Sequence, residues 1–218
     1  MRRWRTVWLV LAVSALISVG AGGAVASASV RRADDMDTDI ATAVYVVNRY
    51  WASHWSQFFT GRYSPPGVFG GYRSGGRKPP FCGGRRLDYG NAWYCRDGDY
   101  IAWDVGLMED GYRFGDAWVY LVIAHEWGHA VQRRLKRSLV LRTYELQADC
   151  LAGAALYGAA ADGNLRFERG DLEEIEQVHR RLGDETPWTD VSDHGTAAQR
   201  MSAFRRGAGH GVPGCLPG

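Results

Sequence analysis

Residues 122–131 have the sequence Val-Ile-Ala-His-Glu-Trp-Gly-His-Ala-Val, in which two histidines lie four residues apart within an apolar segment of helical character. On an α-helix these two side chains point about 40° apart around the axis and lie roughly 6 Å apart along it. Both imidazoles can therefore reach one divalent cation at Zn–N distances of about 2.0–2.1 Å. Glu126 points to nearly the same side, where it can accept a proton from a water whose pKa the metal has lowered. The spacing predicts a zinc site with His125 and His129 as ligands and Glu126 as general base.

The helix that carries this motif is predicted to be central and buried. From Ala117 to Val131 it is apolar on nearly every side, Asp116 is a candidate N-cap, and cations follow at Arg133 and Arg134. Two histidines and a glutamate are costly in such a helix unless they share a partner. A metal ion supplies that partner.

A catalytic zinc site takes three protein ligands and keeps one position open. The metzincin pattern would place a third histidine at position 135, which is Leu135, so this class is excluded. Glu145 and Asp149 lie four residues apart on a second predicted helix, from about residue 142 to 161. Glu145 can be the third ligand, and Asp149 can accept a hydrogen bond from the far nitrogen of a ligating histidine. The alternative is an ordinary pair of acids on a helix surface.

The remaining pattern predicts an α+β zincin-like domain, a small sheet packed on the two ligand-bearing helices. A first helix with an aromatic stripe should end near Phe59, and a strand should span Asp99 to Leu107. A third helix should span about Gly170 to Leu182, with His179 at its surface or at the edge of the core. Between residues 60 and 94 we expect an irregular segment with short strands near 67–69 and 93–94. Thr196 begins a capping box and a final short helix.

The N-terminus has the features of an export signal. Arg2, Arg3 and Arg5 precede an apolar stretch at residues 7–19, and Ala-x-Ala sites follow at residues 24–26 and 26–28. The pattern predicts a signal peptide over residues 1–28, or alternatively an uncleaved N-terminal membrane anchor. Either way, residues 35–218 should form one domain outside the cytoplasm, secreted or held at the cell envelope.

Charge and cysteine content fit this location. The net charge is +2, and because three arginines lie in the first five residues, the rest is near neutral, which excludes a general nucleic-acid-binding surface. An even number of cysteines in an exported protein indicates disulfides. Three pairings are possible, and we favour the local pair Cys82–Cys95 with the distant pair Cys150–Cys215.

Three blocks resemble the bacterial family of neutral zinc metallopeptidases. They are His-Glu-Trp-Gly-His at 125–129, Glu-Leu-Gln-Ala-Asp-Cys at 145–150 and His-Gly-Thr-Ala-Ala-Gln-Arg at 194–200. The resemblance implies a gluzincin-like site with His125, His129 and Glu145 as zinc ligands and Glu126 as the catalytic base. Ala130 and Ala197 depart from the family pattern, and neither is a proposed ligand.

The predicted function is an exported zinc peptidase, an endopeptidase acting on peptide or protein substrates through Glu126-assisted attack of zinc-bound water. The strand at residues 101–105 is a candidate edge for an extended peptide. Attack of water on a peptide carbonyl creates an oxyanion, and His194 is a candidate hydrogen-bond donor to it. Tyr144 is the competing donor, in which case His194 would only make a local contact in a turn. Two other functions stay open, namely a catalytically idle, zinc-stabilised envelope binding protein and an amidase of cell-wall peptides. The sequence leaves the oligomeric state open.

Overall fold

The computed structural model describes residues 24–185 and 193–218, and the charged and apolar parts of the predicted export signal lie outside them. Within these residues the chain combines helices with small sheets, so the α+β class is confirmed. The helices are α1 Ala24–Phe58, α2 Val105–Tyr112, α3 Ala117–Arg134, α4 Tyr144–Ala161, α5 Asp171–Leu182 and α6 Ala197–His210. The strands are β1 Gly67–Tyr72, β2 Phe81–Cys82, β3 Arg85–Arg86, β4 Ala92–Cys95 and β5 Tyr100–Asp104. Short 3-10 turns lie at Arg137–Leu139 and Val212–Cys215.

The first helix packs its aromatic stripe into the core. Tyr50, Trp51 and Trp55 are buried, and α1 contacts both α3 and α4. Large rings at one face of a helix bury much apolar area, which anchors α1 on the two helices that carry the predicted site. Within the described residues no helix is long and apolar enough to cross a membrane.

The main sheet has the strand order β1-β5-β4, with β1 parallel and β4 antiparallel to β5. The expectation that residues 101–105 form an edge is therefore wrong. Ile101 and Ala102 are fully buried because β5 has a neighbouring strand on each side. The edge strand next to the predicted metal site is β4.

The predicted strand from Asp99 to Leu107 is too long. It stops at Asp104, whose carboxylate accepts a hydrogen bond from the backbone N–H of Gly106 at 2.7 Å and so caps α2. The same carboxylate accepts from the N–H of Gly90 at 2.6 Å. An N-cap aspartate satisfies helix donors that would otherwise lack partners, and it starts a helix that the sequence analysis did not predict.

The helix α3 lies at the centre of the molecule, buried along nearly its whole length as predicted. Asp116 occupies the N-cap position, but its side chain makes no capping bond. The N–H of Ala117 donates instead to Oε2 of Glu174, at 3.3 Å. Gly128 permits the close approach of α4, since a Cβ there would lie 2.8 Å from the carbonyl oxygen of Ala148.

The chain contains one local and one distant disulfide, and the favoured pairing is confirmed. Cys82–Cys95 links β2 to β4, and Cys150–Cys215 fastens the C-terminal turn to α4. The predicted capping box is also present, because Thr196 and Gln199 exchange hydrogen bonds at the start of α6.

Candidate metal centre

Three side chains from α3 and α4 converge on one point. Nε2 of His125 lies 3.2 Å from Oε2 of Glu145, Nε2 of His129 lies 3.2 Å from the same oxygen, and the two Nε2 atoms are 3.1 Å apart. Tetrahedral ligands about 2.0–2.1 Å from zinc are separated from one another by about 3.3 Å. The three donors therefore have the chemistry and the spacing that a zinc ion requires.

Electrostatic interactions within this cluster favour an ionised Glu145. Burial alone would raise the pKa of Glu145, but the charge of His129 and hydrogen bonds from both imidazoles hold it well below its usual range. A carboxylate that stays charged when buried is suited to bind a cation.

The back of His125 is held by a buried ion pair. Nδ1 of His125 lies 2.8 Å from Oδ1 of Asp149, which is the contact that an outer partner of a ligating histidine makes. Asp149 is fully buried, and Arg200 on α6 donates to both of its oxygens. Burial would raise the pKa of Asp149, but the charge of Arg200 outweighs it and holds the pKa well below its usual value. Nothing in the local sequence singled out Arg200, because it lies 51 residues beyond Asp149.

The same region contains His179, which was expected at the surface or at the edge of the core and is buried. It is only 1% exposed, and its Nδ1 lies 2.9 Å from the carbonyl oxygen of Ile175. Its Nε2 lies 3.8 Å from Oδ1 of Asp149. The amphipathic pattern of α5 placed His179 beside the apolar face, and α6 covers that side of the helix through Phe204.

The back of His129 is held by an amide. Its Nδ1 lies 2.9 Å from Oε1 of Gln132, one turn later on α3. Gln132 is itself buried and donates through Nε2 to the carbonyl of Tyr144. Gln132 was not predicted from its position in the sequence, although a polar residue three positions after a candidate ligand on a buried helix is a usable signal.

Glu126 lies beside the cluster at the wall of a cavity. Its burial raises the pKa, while the two histidines and a hydrogen bond from the backbone N–H of Tyr94 act in the opposite direction. The net shift is upward, which brings this carboxylate toward the range in which a general base works near neutral pH. Tyr94 belongs to β4, so the edge strand faces the candidate base.

The cavity has a volume of about 670 Å³ and opens over all three candidate ligands. Its walls include β4 and apolar side chains of α2, α3 and α5, namely Leu107, Leu121, Val122, Val178 and Leu182. A cavity of this size, whose walls combine apolar side chains with converging polar groups, is typical of a site for an organic ligand.

Both candidate donors line this cavity. The ring of Tyr144 stacks on His129 with 4.8 Å between centroids, and burial raises its pKa to about 12, so the phenol keeps its proton. His194 is half-exposed, its backbone N–H donates to Asp184, and its Nδ1 lies 3.8 Å from Oδ1 of that residue. The structure thus brings His194 to the cavity but not into the cluster of the three candidate ligands.

Part of this site lies in a segment that is similar to known proteins. Residues 136–215 match the family described as Putative neutral zinc metallopeptidase. Over 116 residues the chain is 35% identical to "Uncharacterized protein YpfJ" of Escherichia coli strains K12 and O6:H1, a match covering 42% of this chain and 40% of each relative. The chain thus matches about two fifths of the length of these curated relatives, and no solved structure gives a significant match. The resemblance found in the sequence is confirmed over residues 136–215, the part that carries Glu145, Asp149 and Arg200.

Proposed function

We propose that this protein is an exported zinc peptidase, an endopeptidase in which His125, His129 and Glu145 hold the metal. The main support for this proposal is that Nε2 of His125, Nε2 of His129 and Oε2 of Glu145 lie within 3.2 Å of one another, at the wall of a cavity of about 670 Å³. The family description supports the same class of reaction. When bound, zinc lowers the pKa of a water ligand and polarises a carbonyl group.

Glu126 has the position and the environment of the general base. It would accept one proton from the attacking water as the oxygen–carbon bond forms, and would deliver that proton to the departing amide nitrogen as the carbon–nitrogen bond breaks. The products are a carboxylate and an amine. Burial, which raises the pKa of Glu126, favours the protonated form that the second step needs.

The edge of β4 is suited to receive an extended peptide. Within the described residues β4 pairs on one side only, with β5, and its residues Ala92, Trp93 and Tyr94 line the cavity. An edge strand offers backbone donors and acceptors to which a peptide can add as a further strand. Such pairing does not require a chain end, which favours an endopeptidase over an exopeptidase.

The apolar wall indicates which substrates fit. Leu121, Val122 and Val178 are buried side chains that reach the cavity beside His125. A substrate with a medium-sized apolar side chain next to the cleaved bond would bury that side chain here. Two disulfides support a location outside the cytoplasm, where such bonds persist.

A catalytically idle, zinc-stabilised binding protein would use the same scaffold. Glu126 argues against it, because a structural zinc site closes its fourth position with protein and has no need of a free carboxylate there. The test compares wild type with Glu126→Gln on a mixed peptide library, with zinc measured in both proteins. We expect equal zinc content and cleavage by the wild type alone; activity in both or in neither would reject the peptidase.

A further inference from the structure

Two buried glutamines connect His129 to the backbone of the C-terminal turn. Oε1 of Gln132 faces Nδ1 of His129 at 2.9 Å, and Nε2 of Gln132 donates to Oε1 of Gln147 at 3.1 Å. Gln147 lies on α4 between Glu145 and Asp149, and it is fully buried. Neither glutamine is needed by the proposed reaction itself.

The amide of Gln147 has one possible orientation. Its Nε2 donates to the carbonyl oxygens of Leu139, at 2.8 Å, and Cys215, at 3.0 Å. Its Oε1 accepts from the backbone N–H of Leu141 at 3.0 Å. A carbonyl oxygen can only accept and a backbone N–H can only donate. A flipped amide would therefore place its oxygen against two carbonyl oxygens and its NH₂ against the N–H of Leu141, which is costly for buried groups.

The fixed amide of Gln147 then fixes that of Gln132. Because Oε1 of Gln147 is an acceptor, the group of Gln132 that meets it must be the NH₂, which also donates to the carbonyl of Tyr144 at 2.7 Å. The oxygen of Gln132 is therefore the atom that faces His129. An acceptor at this position requires a proton on Nδ1 of the ring.

We propose that Gln132 and Gln147 are positioning residues that set the tautomer of His129, with the proton on Nδ1 and the lone pair of Nε2 directed at the metal. The proposal rests on the proposed zinc site. His125 needs no such pair, because its partner Asp149 is an ionised carboxylate that only accepts. An amide can donate or accept, so the ring of His129 is determined only because the Tyr144 carbonyl and Oε1 of Gln147 both require the NH₂ of Gln132 on the side away from His129.

We call this arrangement, in which Gln147 orients Gln132 and Gln132 orients His129, the glutamine relay. A double-mutant cycle on zinc affinity tests the relay in the full chain. Gln132→Met removes the acceptor, and we expect it to weaken zinc binding by roughly 10- to 100-fold in a chelator competition. Gln147→Met touches no ligand, yet it should weaken zinc binding as well. The double variant should bind zinc no more weakly than Gln132→Met, because Gln147 acts through Gln132.

Two controls separate positioning from stability. Gln177→Met replaces a glutamine of α5 that is not part of the relay, and it should leave the zinc affinity unchanged. The free energy of unfolding of each metal-free variant records any structural loss, which by itself would not produce the non-additive pattern. Unchanged affinity in either single variant, or additive losses in the double variant, would overturn the relay.

A measurement on the wild type keeps the proposal testable if Gln147→Met does not fold. In zinc-loaded protein labelled with ¹⁵N-histidine, the His129 ring should show a slowly exchanging proton on Nδ1 and zinc coordination through Nε2. Coordination through Nδ1 would contradict the relay. A wild type that binds no zinc at all would instead reject the zinc site on which the proposal rests.

Discussion

Arg200 on α6 holds the carboxylate of Asp149 on α4 with two N–H groups, from Nε to Oδ2 at 2.8 Å and from Nη2 to Oδ1 at 2.9 Å. The side chain of Arg200 is only 6% exposed and that of Asp149 is completely buried. The same Oδ1 faces Nδ1 of His125, so the ion pair stands directly behind a candidate zinc ligand. The orientation of His125 thus depends on a helix that contributes no ligand.

Breaking this pair should destabilise the protein strongly. Asp149→Asn leaves the guanidinium of Arg200 buried without a counter-charge, which costs about 3–5 kcal/mol in the free energy of unfolding. Asp99→Asn is the matched control, since Asp99 also receives two bonds from an arginine, Arg134, but its side chain is 35% exposed. That substitution should cost at most about 1 kcal/mol. Denaturant titration of the metal-free proteins measures both, and equal losses would contradict the assigned role of burial.

Removing Glu145 should remove the metal. The wild type should carry about one zinc per chain, and Glu145→Ala should lose most of it because two histidines alone hold zinc weakly. Glu176→Ala, an exposed acid on α5 paired with Arg180, is the control and should keep full occupancy. Elemental analysis after dialysis decides between these outcomes, and full zinc content in Glu145→Ala would exclude Glu145 as a ligand.

Zinc binding should depend on pH through His125. In the metal-free protein, burial would lower the pKa of His125, but the charge and hydrogen bond of Asp149 outweigh it and raise the pKa to about 10. Zinc needs the neutral ring, so binding near neutral pH should release about one proton, and affinity should rise with pH up to about 10. Calorimetry in buffers of different ionisation enthalpy counts the proton, and its absence would be inconsistent with this pKa.

The same shift has a consequence for the stability of the metal-free protein. A histidine whose pKa is raised on folding contributes stability that is fully present below its unfolded pKa, about 6.5. That contribution is lost as the pH rises through the folded value of about 10. Unfolding curves between these pH values should therefore show decreasing stability in the metal-free wild type, and a smaller decrease in His125→Ala.

The cavity should contain a donor that acts on the oxyanion. We expect His194→Ala to lower kcat about 100-fold or more, with zinc content and KM little changed, because such a donor acts mainly in the transition state. Tyr144→Phe is the competing variant, since its phenol keeps its proton and its ring lies against His129. If Tyr144→Phe lowers kcat while His194→Ala does not, the donor is Tyr144 and His194 has only its turn contact with Asp184.

What could be predicted from the sequence was local in the chain. His125 with His129, and Glu145 with Asp149, each repeat at four residues, and a helix converts that spacing into one face. Cys82 and Cys95 are close enough in sequence for pairing to be favoured. The capping box at Thr196 is likewise contained within four residues.

What could not be predicted depends on neighbours that are distant in sequence. The order of strands in the sheet placed β5 in the centre, and no alternation within Tyr100–Asp104 distinguishes a central strand from an edge. Arg200 has its role only because α6 crosses α4 at Asp149. His179 was expected at the surface or at the edge of the core, and its burial depends on Phe204 of another helix.

The disulfide Cys150–Cys215 has a consequence for the order in which the protein matures. One of the two carbonyls that orient Gln147 belongs to Cys215, so during synthesis the helices α3 and α4 emerge well before the last contact that supports their candidate metal site. We expect a newly made, reduced chain to bind zinc weakly, and we expect its zinc affinity to increase once this disulfide forms. In the exported peptidase proposed above, competence would then be acquired where thiols become oxidised, which would delay peptide cleavage until the chain has left the compartment where it was made.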